Sequence, residues 1–217
     1  MITEILAFIT KDFTLEFRRG YAFSGLVVFV LCVAYIIFVS FANPNKETWI
    51  TIYWIAFLFM SVHAVLKGFS GEQGTRFLYY HTLVKPEVIL LSKWLYHTVI
   101  LFFLGLLMYG ALATITSNPF THIWLFVLVI LLGAIGITLC FTLISGIAVK
   151  SDQSATLMTI LAFPLVIPIL LHLIRLSRAA LTEVISSSAR ESLLTLGAID
   201  LLLIGLGLLL FPYLWRS

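Results

Sequence analysis

The chain has 217 residues, of which 61% are hydrophobic and only 11% are charged. A soluble domain carries about 25% charged residues, so this composition excludes an ordinary soluble domain. It indicates one polytopic membrane domain over residues 1–217, and with a formal net charge of +3 we expect lipid and no nucleic acid around it.

The first predicted element is an amphipathic helix over residues 1–19. Apolar side chains recur there at helical spacing, at Ile2, Ile5, Leu6, Ile9, Phe13 and Phe17. This pattern predicts a helix that lies in the membrane interface and does not cross it. Glu4, Asp12 and Glu16 interrupt any continuous apolar core, so a cleaved signal peptide is not expected.

Six apolar segments follow, and each is close to the length that a membrane helix requires. A helix needs about 20 apolar residues to cross the hydrocarbon core. The predicted spans are 21–41, 49–66, 88–115, 123–149, 154–174 and 193–213. We therefore expect an all-α integral membrane protein with six transmembrane helices.

Basic residues in the loops predict the orientation of these spans. With the N-terminus inside, nine Lys and Arg residues fall inside and four outside, which places both termini in the cytoplasm. Residues 175–192 are the external segment that departs from this bias. Their mixture of polar and apolar residues predicts an external loop or a short helix lying on the membrane.

Small residues inside the spans predict close packing between helices. The glycines concerned are Gly133, Gly136, Gly146, Gly197, Gly205 and Gly207. A glycine-lined passage for a flat ligand is the alternative. Cys32 and Cys140 also lie in apolar spans without metal-ligand spacing, so we expect them to be small packing residues.

The longest polar interval between two spans is the loop 67–87, which is cytoplasmic by the charge distribution. Ser70 or the Gly71-Glu72 turn can start a short helix, with Gly74 loosening its first turn. The Lys85-Pro86 step would then end this part of the loop, because the residue before proline resists the α conformation. Pro86 and Glu87 suit the first turn of the next helix, where the missing N–H is harmless and an acid favours the helix dipole. An ordinary solvated loop is the alternative interpretation.

A particular order of residue types runs through this loop and into the third span. It consists of an acid, a glycine, a leucine-rich run, a proline and a lysine, at Glu72, Gly74, Leu78, Leu83, Pro86 and Lys93. The fifth span carries two prolines four residues apart, Pro164 and Pro168. Both features resemble the heme exporter protein B (CcmB) family, and the length, the six spans and the amphipathic start agree over nearly the whole chain.

The resemblance implies an ABC-2-type permease subunit of the cytochrome c maturation transporter in a bacterial inner membrane. It implies a CcmA-like ATPase that binds ATP, a CcmC-like heme-handling subunit and a homodimer of this chain. Heme would be a possible transported ligand, and no intrinsic cofactor is implied. The chain lacks a G-x-x-x-x-G-K-[ST] segment, which agrees with ATP binding to a separate subunit. The implied ATPase-coupling residues are Glu72, Gly74, Arg76, Lys85 and Pro86.

Two further features are candidates for a hinge or a translocation path. Pro164 and Pro168 each remove a backbone donor, and His172 lies one turn further on the same face, so this helix is either a moving hinge or a static kink. Asp200 is the one acid clearly inside a span, where an unpaired charge costs a few kcal/mol. We expect His172 or Arg175 to pair with it, for a structural purpose or for gating.

No catalytic or metal site is expected from the sequence. The histidines His63, His81, His97, His122 and His172 show no H-x-x-x-H or C-x-x-C-H pairing, so interfacial hydrogen bonding is their expected role. The rival interpretations are an ABC-2-type exporter of a lipid, polysaccharide or drug, a membrane enzyme, and a scaffold. The enzyme is disfavoured because the chain has no H-x-x-x-x-D or D-x-x-D cluster.

Overall fold

Helices account for almost all of the chain that the structure describes. The computed structural model describes residues 2–19, 21–41, 44–65, 85–116, 118–148, 154–181 and 187–216. Within these ranges there are seven helices and no strands, which confirms the all-α prediction there. The helices are α1 (Ile2–Arg19), α2 (Tyr21–Ser40), α3 (Lys46–Val65), α4 (Pro86–Thr116), α5 (Ile123–Ala148), α6 (Ser154–Ala179) and α7 (Ser187–Arg216).

Five helices, α3 to α7, are long and apolar enough to cross a membrane. Lipid offers the backbone no hydrogen-bond partners, so helices that satisfy their own N–H and C=O groups are the expected form for such apolar segments. The chain is therefore an integral membrane protein. In α2 the apolar stretch of described side chains, Ser24–Ser40, is shorter, and its crossing of the membrane stays a prediction.

Local signals set the ends of two helices. Asn45 precedes α3, and its Oδ1 accepts a hydrogen bond from the Thr48 backbone N–H at 2.7 Å, as an N-cap residue does. This cap starts α3 at Lys46, three residues before the predicted span. Pro86 is the first residue of α4, as the sequence predicted, and the Val88 N–H donates to the Lys85 carbonyl at 3.0 Å.

The predicted external segment 175–192 is divided between two long helices. α6 continues to Ala179 and α7 begins at Ser187, while 182–186 lie outside the described residues. The polar residues at the end of α6 are tolerated because Ser177 is buried and its hydroxyl accepts a hydrogen bond from the Trp54 indole N–H at 2.8 Å. A separate short helix over this segment is therefore not formed by the residues described.

Helix α5 lies at the centre of the bundle. It packs against α3, α4, α6 and α7. In its most apolar stretch 67% of the residues are buried, compared with 22% for α7. A helix that is apolar on all sides belongs in such an interior position.

Aromatic side chains fix the end of the bundle where α3 begins and α4 ends. They come from α3, α4, α5 and the segment between α4 and α5, namely Trp49, Tyr53, Trp54, Phe57, Tyr109, Phe120 and Phe126. The Trp49 indole donates to Thr116 Oγ1 at 2.9 Å, and the His122 N–H donates to the Ala180 carbonyl at 3.2 Å. Four chain segments are thereby tied together at this end.

The glycines of α5 make room for side chains, whereas the sequence predicted close backbone approach. A Cβ on Gly133 would lie 2.7 Å from the Trp54 ring, and one on Gly146 would lie 2.8 Å from the Phe211 ring. On α7 the prediction for Gly197 and Gly205 stays a prediction, because no heavy atom of the described residues lies within 4 Å of a Cβ at either position. The contacts of Gly133 and Gly146 depend on large side chains of other helices, Trp54 on α3 and Phe211 on α7, which the spacing of the glycines does not indicate.

Replacing Gly133 with alanine is expected to destabilise the bundle by about 1–3 kcal/mol, because the new methyl overlaps the buried Trp54 ring. Gly110→Ala is the matched control on α4, where a Cβ meets no atom within 4 Å. That substitution is expected to stabilise the protein by roughly 0.4–1 kcal/mol. Thermal unfolding of both variants in detergent, followed by tryptophan fluorescence, measures the difference, and equal midpoints would contradict the packing assignment.

Candidate coupling and gating site

The described part of the predicted coupling loop is its junction with α4. Glu72, Gly74 and Arg76 lie outside the described residues. Lys85 is exposed, and Pro86 is buried as the first residue of α4. Lys85 therefore leads directly into a helix whose first residue is already packed inside the bundle.

Helix α1 is fastened to α4 by an ion pair two turns beyond this junction. Lys93 Nζ lies 3.0 Å from Asp12 Oδ2, and the two side chains are only 7% and 8% exposed. Lys11 Nζ approaches the other carboxylate oxygen of Asp12 at 3.3 Å. The Phe13 and Tyr96 rings meet edge to face at 5.0 Å beside the pair. The helix over residues 1–19 was predicted, but its attachment through Asp12 was not.

The described histidines differ in their surroundings. His97 is buried and its Nδ1 lies 2.8 Å from the Lys93 carbonyl oxygen, so this ring is held against its own helix, one turn after Lys93. His63 and His122 are exposed, and His81 lies in the part of the chain that is not described. Among the described residues, no three His, Cys, Asp or Glu side chains are grouped as a metal ion would require.

Helix α6 continues through both of its prolines. Pro164 is exposed, and Pro168 is half-buried, as is His172 one turn later. The other face of α6 is buried, with Ile169 and Leu173 both at 0% exposure. The packed face thus holds α6 against the bundle, while the proline face is the less buried side.

Asp200 is buried at the junction of α5, α6 and α7. It is 7% exposed, and its Oδ1 has no hydrogen-bond partner. This oxygen occupies the notch left by Gly136, because a Cβ there would lie 2.7 Å from Oδ1 and 3.3 Å from Ile169 Cγ2. Among the described residues, no cation forms an ion pair with this carboxyl group.

The expected pairing of Asp200 is not formed. Arg175 is exposed, and the buried Nδ1 of His172 has no hydrogen-bond partner of its own. The carboxylate is directed towards α5, where Gly136 provides space, and the arginine remains at the surface of α6. The sequence correctly singled out Asp200 as an intramembrane acid, but it could not show which neighbouring helix the side chain faces.

Matching against known families decides between the permease classes that the sequence left open. The model of the CcmB protein family matches residues 3–212. The chain belongs to the CcmB family. Members of this family are the membrane permease component of the heme exporter, or cytochrome c maturation, ABC system, which also contains other Ccm components. No curated protein matches the chain.

Family membership confirms the resemblance that the loop and the fifth span indicated. For a CcmB subunit, three described features can bear on transport. They are the buried Asp12–Lys93 contact near the loop 67–87, the two-proline helix α6, and Asp200 between α5, α6 and α7, whose Oδ1 has no hydrogen-bond partner among the described residues.

Proposed function

We propose that this CcmB chain couples ATP hydrolysis in a separate CcmA-like ATPase to heme export, or to heme release for attachment to c-type cytochromes. In this proposal α2 also crosses the membrane, which brings the number of spans to six. The architecture is that of ABC-2-type permeases, and both termini are cytoplasmic. Two copies of the chain act together in a bacterial inner membrane with a CcmC-like heme-handling subunit. Heme is the ligand that is exported or released, and ATP binds to the CcmA-like ATPase.

The buried contact between α1 and α4 is the observation that carries the coupling role. The loop 67–87 connects α3 to α4, and Lys93 lies two turns past its end. Since the Asp12–Lys93 pair is buried, a displacement of the start of α4 would carry α1 with it. Closure of the ATPase against the loop would then be converted into a rigid-body movement of helices.

The opposite end of the bundle supports the same proposal. There the aromatic cluster and the hydrogen bonds to Thr116 and Ala180 hold α3, α4, α5 and α6 together. A push at the loop end would therefore rock the helices about this fixed end. Pro164 and Pro168 would supply the hinge in α6, and His172 and Asp200 would line the region whose packing changes.

Loss of this gene is expected to abolish c-type heme while b-type heme stays normal. Heme staining of membrane proteins from a deletion strain measures both classes, and restoring the gene is the control. Normal c-type heme in the deletion strain would contradict the maturation role. It would instead favour an ABC-2-type exporter of another cargo.

A charge reversal tests the coupling loop separately. We expect Glu72→Lys to remove the stimulation of the ATPase by this subunit while the complex remains assembled. Glu191→Lys is the matched control, because Glu191 is an exposed acid at the start of α7, at the end of the bundle away from the loop. Unchanged stimulation in the assembled Glu72→Lys complex would contradict the coupling assignment.

A further inference from the structure

Helices α4 and α5 are joined by one polar contact, and one helical turn away two buried polar atoms have no hydrogen-bond partner. Thr98 Oγ1 and Thr138 Oγ1 lie 2.8 Å apart across the two helices. The helices are antiparallel, so one turn closer to the loop end the facing residues are Trp94 on α4 and Thr142 on α5. At this rung, Trp94 Nε1 and Thr142 Oγ1 are both buried and neither has a hydrogen-bond partner.

The two unpartnered atoms belong to residues that line one cleft between α4, α5 and α7. The enclosed part of the cleft has room for only about 20 Å³, enough for one small polar group, and the rest opens to the surroundings of the bundle. Its other walls are apolar, and they include Leu90, Leu143 and Gly207. The absence of a side chain at Gly207 keeps the cleft open, since a Cβ there would lie 3.4 Å from Leu90 Cδ2.

The depth of Trp94 in α4 indicates what surrounds the cleft. Helix α4 has 31 residues, which corresponds to about 46 Å and exceeds a hydrocarbon core of roughly 30 Å by about 16 Å. If the excess is shared equally, Trp94, about 12 Å from the first residue, lies roughly 4 Å inside the hydrocarbon boundary. Ester groups of phospholipids lie near this boundary, where tryptophan is also enriched.

An occupant of this cleft needs an apolar body and an oxygen that can accept hydrogen bonds. The indole N–H can only donate, and the threonine hydroxyl can donate or accept. A single water here would have only these two atoms as partners, the minimum that buried waters usually keep, because the remaining wall is made of leucines and other apolar residues. A fatty acyl ester combines the required oxygen with an apolar chain that can lie along the leucines.

We propose that the cleft between α4, α5 and α7 binds a phospholipid through one acyl ester. The ester carbonyl oxygen accepts hydrogen bonds from Trp94 Nε1 and Thr142 Oγ1, and the acyl chain lies against Leu90, Leu143 and Gly207. This site does not depend on which cargo the transporter moves. It gives the subunit a bound lipid at the loop end of the bundle, next to the segment of α4 that contacts α1.

The chemistry of the linkage provides the sharpest test. The full-length chain, purified in its Ccm complex, is titrated with ester-linked phosphatidylethanolamine and with its ether-linked analogue of equal chain length. Native mass spectrometry counts the lipids retained. We expect the ester lipid to bind roughly fivefold tighter, because the ether analogue lacks the carbonyl acceptor of about one net hydrogen bond.

Matched variants locate this preference in the cleft. Thr142→Val removes the hydroxyl at nearly constant shape, and Trp94→Phe removes the indole donor, so each is expected to reduce or abolish the ester preference. Gly207→Leu is expected to fill the cleft and to lower the count by one lipid. Gly205→Leu is its control, because a Cβ at Gly205 meets no atom within 4 Å.

Equal binding of the two lipids to the unaltered complex would overturn the proposal. So would an ester preference that is undiminished in both Thr142→Val and Trp94→Phe, because that lipid would occupy another surface. If Thr142→Val only raises the thermal stability, without changing the lipid count, the cleft holds water or remains empty and the proposal is wrong.

Discussion

Replacing Lys93 with methionine is expected to lower the stability of the protein by about 3–5 kcal/mol, because the Asp12 carboxylate stays buried after losing its closest cation. For a chain of this size the thermal midpoint should fall by roughly 10 °C. Lys11 remains 3.3 Å from Asp12, so some of the charge is still compensated. Thermal unfolding in detergent measures the loss, and protease cleavage between α1 and α2 reports whether α1 has detached.

The double variant Asp12→Leu/Lys93→Met separates the ion pair from general damage at this contact. Replacing a buried pair by apolar residues of similar volume is often neutral or stabilising, so most of the lost stability should return. The difference between the double variant and the sum of the single variants gives the coupling energy of the pair. If the double variant is as unstable as Lys93→Met, the ion pair does not hold α1 to α4.

Lys85→Met is the matched control for the same change of residue type. Lys85 precedes α4 directly and is exposed, so its replacement should alter stability by less than about 0.5 kcal/mol. Heme attachment to c-type cytochromes should then follow the stability of the α1–α4 contact. We expect it to be lost in Lys93→Met and recovered in the double variant.

The helices of this protein could be predicted from the sequence because a membrane restricts the choice of structure. Hydrocarbon thickness fixes the length of an apolar segment, and the absence of water requires helices. Pro86 also marked the start of α4 correctly, since its fixed φ and missing N–H suit a first helical turn. The start of α3 was placed three residues too late because the cap at Asn45 was not recognised.

Contacts between helices could not be predicted in the same way. The sequence predicted an external loop or short helix over 175–192, and nothing in it indicated that Trp54, 123 residues earlier, donates a hydrogen bond to Ser177. Asp12 was placed on an interfacial helix, and its partner Lys93 is 81 residues away in the sequence. Neither pair is marked by a repeating pattern in the sequence. The charge or polarity of one residue alone therefore does not predict which helix its side chain contacts.

For Asp200 the sequence predicted the position inside a span but not the side chains that surround it. The structure leaves its Oδ1 buried against the notch of Gly136 without a hydrogen-bond partner. A buried carboxyl in this state is a liability for folding, because an unsatisfied polar group costs about 1–3 kcal/mol. Groups that lower stability in this way are often located at functional sites, where activity depends on them.

Replacing Asp200 with alanine is therefore expected to raise stability and to impair function together. Removal of the unpaired acid should stabilise the bundle by about 1–3 kcal/mol, which raises the thermal midpoint by several degrees. Holocytochrome c should fall at least tenfold if the carboxyl takes part in gating. Gly136→Ala should impair function as well, because its methyl would displace the carboxylate from the notch.

Gly197→Ala is the control on the same helix, and it should leave heme attachment unchanged because a Cβ there meets no atom within 4 Å. The decisive comparison is between the two readouts for Asp200→Ala. A variant that is more stable and still matures c-type cytochromes would show that Asp200 has no part in transport. A variant that is more stable and inactive would mean that the bundle retains an unfavourable buried acid because the transport cycle uses it, with the α5–α7 junction as the place where packing changes.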